Sequence, residues 1–171
     1  MKRFLTATVR VVDNLSRWSG SILSLLIFVM IGIVLYEVVA RYLFNNPTYW
    51  ALEASTMVFG TYMICGQAYP LLYKEHVNMD IFYSRWSDRG KAVVDSCTFP
   101  LFIFFFGVML WQATAYGIES VQICEHSATA WGQPLYLWKM TAVLGVLLMV
   151  LQGCSDFICN ITFAITGEKF K

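Results

Sequence analysis

The chain has 171 residues, 58% of them hydrophobic and only 13% charged, with a formal net charge of +1. Soluble domains carry about 25% charged residues, so this composition, with a mean hydropathy of +0.59, excludes an ordinary soluble domain. The near-zero net charge gives no reason to expect a nucleic-acid partner.

At the N-terminus, Phe4, Leu5, Val9, Val12 and Leu15 recur at helical spacing among Lys2, Arg3, Arg10, Asp13 and Arg17. That pattern predicts an amphipathic helix lying on a membrane surface, its basic residues near the headgroups. The first membrane segment follows over about 18–43, and is too long for a signal peptide. It ends in the sequence Glu37, Arg41 and the Asn45-Asn46-Pro47 turn, where Asn46 is a plausible helix cap and Pro47 a first helical residue. The second segment spans about 50–73 and holds Glu53 near its start. A second amphipathic interfacial helix is expected next, with Ile81, Phe82 and Trp86 dipping into the interface and Arg85 and Arg89 in water. The third and fourth segments cover about 94–117 and 135–158. Each of the four matches the roughly 20 apolar residues that a bilayer requires. The expectation is one all-α membrane domain over 1–171, with four transmembrane helices and two interfacial ones.

Lys2, Arg3, Arg10, Arg17, Lys74, Arg85, Arg89, Lys91, Lys169 and Lys171 all fall on one side of this arrangement. They are ten of the twelve basic residues, so both termini are expected in the cytoplasm. Trp18, Trp50, Trp86, Trp131 and Trp138 fall near helix ends, as an interfacial belt requires.

The charges within the apolar segments are the candidates for function. Glu37 and Arg41 stand one turn apart in the better order for an ion pair. Arg41 can also reach Glu53 across a short hairpin, so the three are expected to form a structural ion-pair cluster. Lys139 either snorkels outward or faces Glu37 or Glu53, and with Trp50 and Trp138 it is a candidate contact between helices or subunits. His76 and His126 lie on opposite sides and cannot share a metal or haem; no catalytic, substrate-binding or metal residue is expected. The five cysteines form no disulfide framework and contain no CxxC, which argues against a disulfide-generating membrane oxidoreductase. A self-contained proton-coupled multidrug transporter using Glu37 is the rival reading, and Arg41 counts against it, because a paired carboxylate stays ionised.

Several of these features, in this order, resemble the small membrane subunit of tripartite ATP-independent periplasmic (TRAP) transporters, the DctQ-like family. They are Glu37 followed by the run from Arg41 to Pro47, then Trp50 and Glu53, His76 to Asp80, and Trp131 to Lys139. The resemblance spans nearly the whole chain. It implies a non-enzymatic subunit in a bacterial inner membrane that pairs with a large DctM-like permease moving as an elevator. A periplasmic solute-binding protein would deliver organic acid anions, carboxylates or sulfonates, and Na⁺ would bind the large subunit. This chain would need no cofactor and, besides its two protein partners, would contact the phospholipid bilayer.

Overall fold

A computed structural model describes the backbone of residues 2–73 and 88–166, with side chains over 9–73, 90–91 and 93–163. The described residues form five helices, α1 (Lys2–Tyr42), α2 (Ala51–Gly66), α3 (Ala68–Leu72), α4 (Asp88–Gln122) and α5 (Leu135–Thr166). Among the described residues there is no strand, only an isolated bridge between His126 and Pro134. Among the described residues, three helices are long and apolar enough to cross a membrane, over Val9–Tyr42, Val93–Gln122 and Leu135–Phe163.

The chain runs up and down. One end of the bundle, the hairpin end, holds the turns at 43–50 and 123–134; the other, the basal end, is where α1 begins and α5 finishes. The central element is α5, which packs along α4, α2, α3 and the lower part of α1. On α1 the less exposed positions are Gly20, Leu23, Leu26, Met30, Ile33, Glu37 and Ala40. Their spacing of three and four marks one helix face, and that face packs on α2 and α3.

Backbones come close where glycine allows it. A Cβ at Gly145 of α5 would lie 2.6 Å from Ile64 Cγ2 and 2.9 Å from the Cys65 nitrogen on α2. One at Gly153 would strike the ring of Phe102 on α4, and nearby Phe99 and Phe157 stack at 3.9 Å. Gly20 takes the ring of Tyr69 in the same way. Gly60, Gly66 and Gly107 have open space where a Cβ would stand. Small residues matter here because apolar burial does not drive helices together in lipid, whereas close packing does.

Two sequence expectations need correction. The N-terminal amphipathic segment is no separate interfacial helix: α1 runs unbroken for 41 residues, about 60 Å. Val9, Asp13 and Ser16 form its buried face, while Val11 and Leu15 are exposed. A polar contact with α5 turns this face inward. Gln152, fully buried, accepts from the Ser16 hydroxyl at 2.7 Å. Its amide donates to Asp13 Oδ1 at 3.1 Å and to Asp156 Oδ1 at 3.5 Å. The expected stripe and this buried set share Val9, and Asp13 and Ser16 beside it turn that face toward α5.

The second expected segment, 50–73, is divided at Gln67 into α2 and α3. Pro70 is the cause. It has no N–H to give the Gly66 carbonyl, and its ring crowds that carbonyl. Beyond it the ladder resumes with long bonds, Leu71 N–H to Gln67 at 3.4 Å and Tyr73 N–H to Tyr69 at 3.3 Å. The second interfacial helix, with Ile81, Phe82, Arg85 and Trp86, lies outside the described residues, as does the Arg89 side chain.

Candidate functional site at the hairpin end

The end of α1 is closed by Asn45, in the left-handed region at φ 50°, and by the Asn46 N–H bonding back to the Ala40 carbonyl at 3.0 Å. Asparagine tolerates that conformation better than most side chains. The next helix begins only at Ala51, after Trp50. Asn46 is therefore not its cap, and Pro47 is not its first residue. The intervening chain is held instead by Glu37. Its Oε2 accepts the Thr48 N–H at 3.1 Å and the Thr48 hydroxyl, and its Oε1 accepts Arg41 Nε at 3.0 Å and Arg41 Nη2 at 2.5 Å. The carboxylate is thus a clamp between the last turns of α1 and the turn that follows.

Glu53 takes its partners from elsewhere. Its Oε2 accepts the Thr129 hydroxyl at 2.9 Å and the Gln133 amide at 3.2 Å, both from the 123–134 turn. That turn is folded on itself: Ser127 N–H bonds to the Gln133 carbonyl at 2.9 Å, and Leu135 N–H to the Glu125 carbonyl at 2.9 Å. Cys124 (φ 48°) and Gly132 (φ 60°) supply its left-handed corners.

Lys139, on the first turns of α5, reaches neither Glu37 nor Glu53. It pairs with Glu125, whose Oε2 also accepts the Ser120 hydroxyl at 2.6 Å. These two contacts, Lys139 first, hold the Glu125 carboxyl below the usual carboxylate range. Trp50 stacks on Tyr36 of α1 at 5.8 Å and meets Trp131 of the turn at 6.2 Å. Trp138 is half-buried beside Lys139. The expected three-member cluster is therefore two separate clamps: Glu37 with Arg41 and Thr48, and Glu53 with Thr129 and Gln133. A third joins Glu125 to Lys139.

The sequence reading passed over Thr48, Thr129 and Gln133. Thr48 follows the turn proline directly, and Gln133 sits in the Gly-Gln-Pro run, so both stand where a polar side chain can meet a helix-end carboxylate. Cys65 donates its thiol to the Thr141 carbonyl at 3.3 Å, at the close crossing of α2 and α5. Among the described residues, no three His, Cys, Asp or Glu side chains are grouped to hold a metal ion.

The clamps tie the helix ends of a bundle whose long helices are apolar enough to cross a membrane. The family model for the DctQ component of tripartite ATP-independent periplasmic transporters matches residues 30–163. The chain belongs to the DctQ family. No curated protein and no solved structure matches it at a significant level. DctQ chains are transporter subunits and not enzymes, and this one is a multi-pass membrane component of TRAP transport. The family match begins within α1 and takes in all three clamps of this DctQ chain.

Proposed function

We propose that this DctQ chain is the stationary permease subunit of a Na⁺-driven TRAP transporter for organic acid anions, carboxylates or sulfonates. It pairs with a large DctM-like subunit that moves the substrate, and works with a periplasmic solute-binding protein. The chain is one domain with four passes, α2 and α3 together making the second, and with both termini in the cytoplasm of a bacterial inner-membrane protein. Ten of the twelve basic residues on one side support that orientation. Ile81, Phe82, Arg85, Trp86 and Arg89 are proposed to brace the cytoplasmic interface, and Trp50, Trp138 and Lys139 to form contacts at the hairpin end.

One observation carries the reading: Glu37 and Glu53 are both committed to donors of their own chain. A carboxylate that exchanges protons for a cation must be able to release its partners. Glu37 would first have to give up Arg41 and Thr48, which counts against the self-contained multidrug transporter.

The test is reconstitution. The full chain alone in liposomes takes up no organic acid under a Na⁺ gradient, whereas the same chain with its large subunit and binding protein does. Na⁺-driven uptake by the chain alone overturns the proposal, and so does proton-coupled efflux of a lipophilic cation that depends on Glu37.

A further inference from the structure

Along one flank of α1 the residues Arg10, Asn14, Arg17, Ser21 and Ser24 are spaced by three and four, so they form a line, and all are exposed. Asp13, the acidic residue of this stretch, is turned inward to Gln152. The exposed charges of the flank are therefore both positive. The Arg17 guanidinium lies 5.9 Å from the ring centre of Tyr73, which follows α3. That contact stations a cation between the two elements.

Beside this line runs a depression in two parts. Near the basal end is an open hollow of about 700 Å³ walled by Val11, Asn14, Leu15, Arg17, Trp18 and Ser21. Ser21 also borders a narrower groove of about 340 Å³ between α1 and the break in α2–α3, walled by Leu23, Ser24, Tyr62, Met63, Gln67 and Pro70. Tyr69, seated on Gly20, borders it as well. The Ser24 hydroxyl already donates to the Ser21 carbonyl at 2.7 Å. The depression thus sets the Arg17 cation beside apolar walls of Val11, Leu15 and Trp18, and continues about 10 Å further along the helix past Leu23, Met63 and Pro70.

We infer that this depression binds one anionic phospholipid. The phosphate accepts from the Arg17 guanidinium, a pairing whose planar donors suit phosphate oxygens. Asn14 and Ser21 flank it with an amide and a hydroxyl. Arg10, two turns further toward the basal end, favours a headgroup with net negative charge over a zwitterionic one. One acyl chain lies in the groove where Pro70 interrupts the helix. The site uses none of the hairpin-end clamps and does not depend on the transport reading.

The test is native mass spectrometry of the full chain, purified in mild detergent, stripped of lipid and offered phosphatidylglycerol or phosphatidylcholine of matched acyl chains. One phosphatidylglycerol is retained per chain, in preference to phosphatidylcholine. Arg17→Gln lowers its retention about fivefold, the effect of one basic residue near an anionic surface, and Arg17→Lys keeps the preference. Ser24→Phe, which fills the groove without touching charge, lowers retention of both lipids. Circular dichroism confirms that each variant keeps its helix content. Equal retention of the two lipids by the unmodified chain overturns the inference, as does unchanged retention in both Arg17→Gln and Ser24→Phe. A photoreactive phenylalanine analogue replacing Met63 crosslinks to lipid in membranes. Crosslinking to a protein instead would assign the groove to a partner helix and overturn the inference.

Discussion

Glu37 accepts from Arg41 on one oxygen and from Thr48 on the other, whereas Glu53 is bonded to Thr129 and Gln133. Neighbours that share a hydrogen bond are energetically coupled and separated ones are nearly additive. A double-mutant cycle on thermal stability should therefore find coupling between Glu37→Gln and Arg41→Gln, and near-additivity between Arg41→Gln and Glu53→Gln. Arg41→Ala alone should lower the yield of assembled transporter more than the paired Glu37→Gln, Arg41→Gln change, because only the first leaves an anion short of its partner. A normal yield for Glu37→Gln, with altered Na⁺ or proton dependence of uptake, would instead make that carboxylate part of ion coupling. Glu125 gives a pH prediction. Its folded carboxyl titrates below its unfolded value, so its contact with Lys139 stabilises the fold above the unfolded value and loses that contribution as pH falls through the lowered one. Melting curves in detergent should show this acid sensitivity reduced in Glu125→Gln.

At the scale of helices, the central position of α5 rests on two glycines and one amide. Gly145→Leu should force α2 and α5 apart, since a Cβ there already meets the Cys65 backbone at 2.9 Å; overpacking of this kind costs about 1–3 kcal/mol. Gln152→Leu removes the acceptor of Ser16 and one donor to Asp13, both deeply buried. Chemical denaturation should show a loss of about 1–3 kcal/mol for each buried group left unsatisfied. The long apolar helices were legible from hydropathy, and the ion pair of Glu37 with Arg41 from its spacing. Gln152 was not, because a single amide in an apolar run gives no sign of which helix it faces. The break at Gln67 was in principle readable from Pro70, but a continuous apolar run conceals it. The separation of Glu53 from Arg41 depends on the fold of the 123–134 turn, whose partners are some eighty residues away in sequence.

For the whole molecule, the proposed orientation is open to direct measurement. In a chain otherwise lacking cysteine, Asn46→Cys and native Cys124 should react with an impermeant maleimide from the periplasmic face of oriented vesicles. A cysteine at Arg10 should react from the cytoplasmic face alone. Reaction of position 46 or 124 from the cytoplasmic face would reverse the topology. Many large apolar side chains on α1 and α4 are exposed, among them Phe28, Leu35, Phe104 and Trp111. If lipid and the proposed large subunit share these faces, cysteines at these positions should divide into those reached by lipid-phase reagents in the assembled transporter and those shielded from them.

The unbroken course of α1 has a mechanical consequence. The helix is fastened low down, where Ser16 meets Gln152, and again high up, where Glu37 holds Thr48. Some 32 Å of helix separates these two fastenings. A rod held at two heights cannot swing about either one without tearing the other loose. A tilt of about 5° at the lower fastening would carry the upper one about 3 Å sideways, a full hydrogen-bond length. α1 is therefore a post braced at two levels, which suits the stationary role proposed for this subunit.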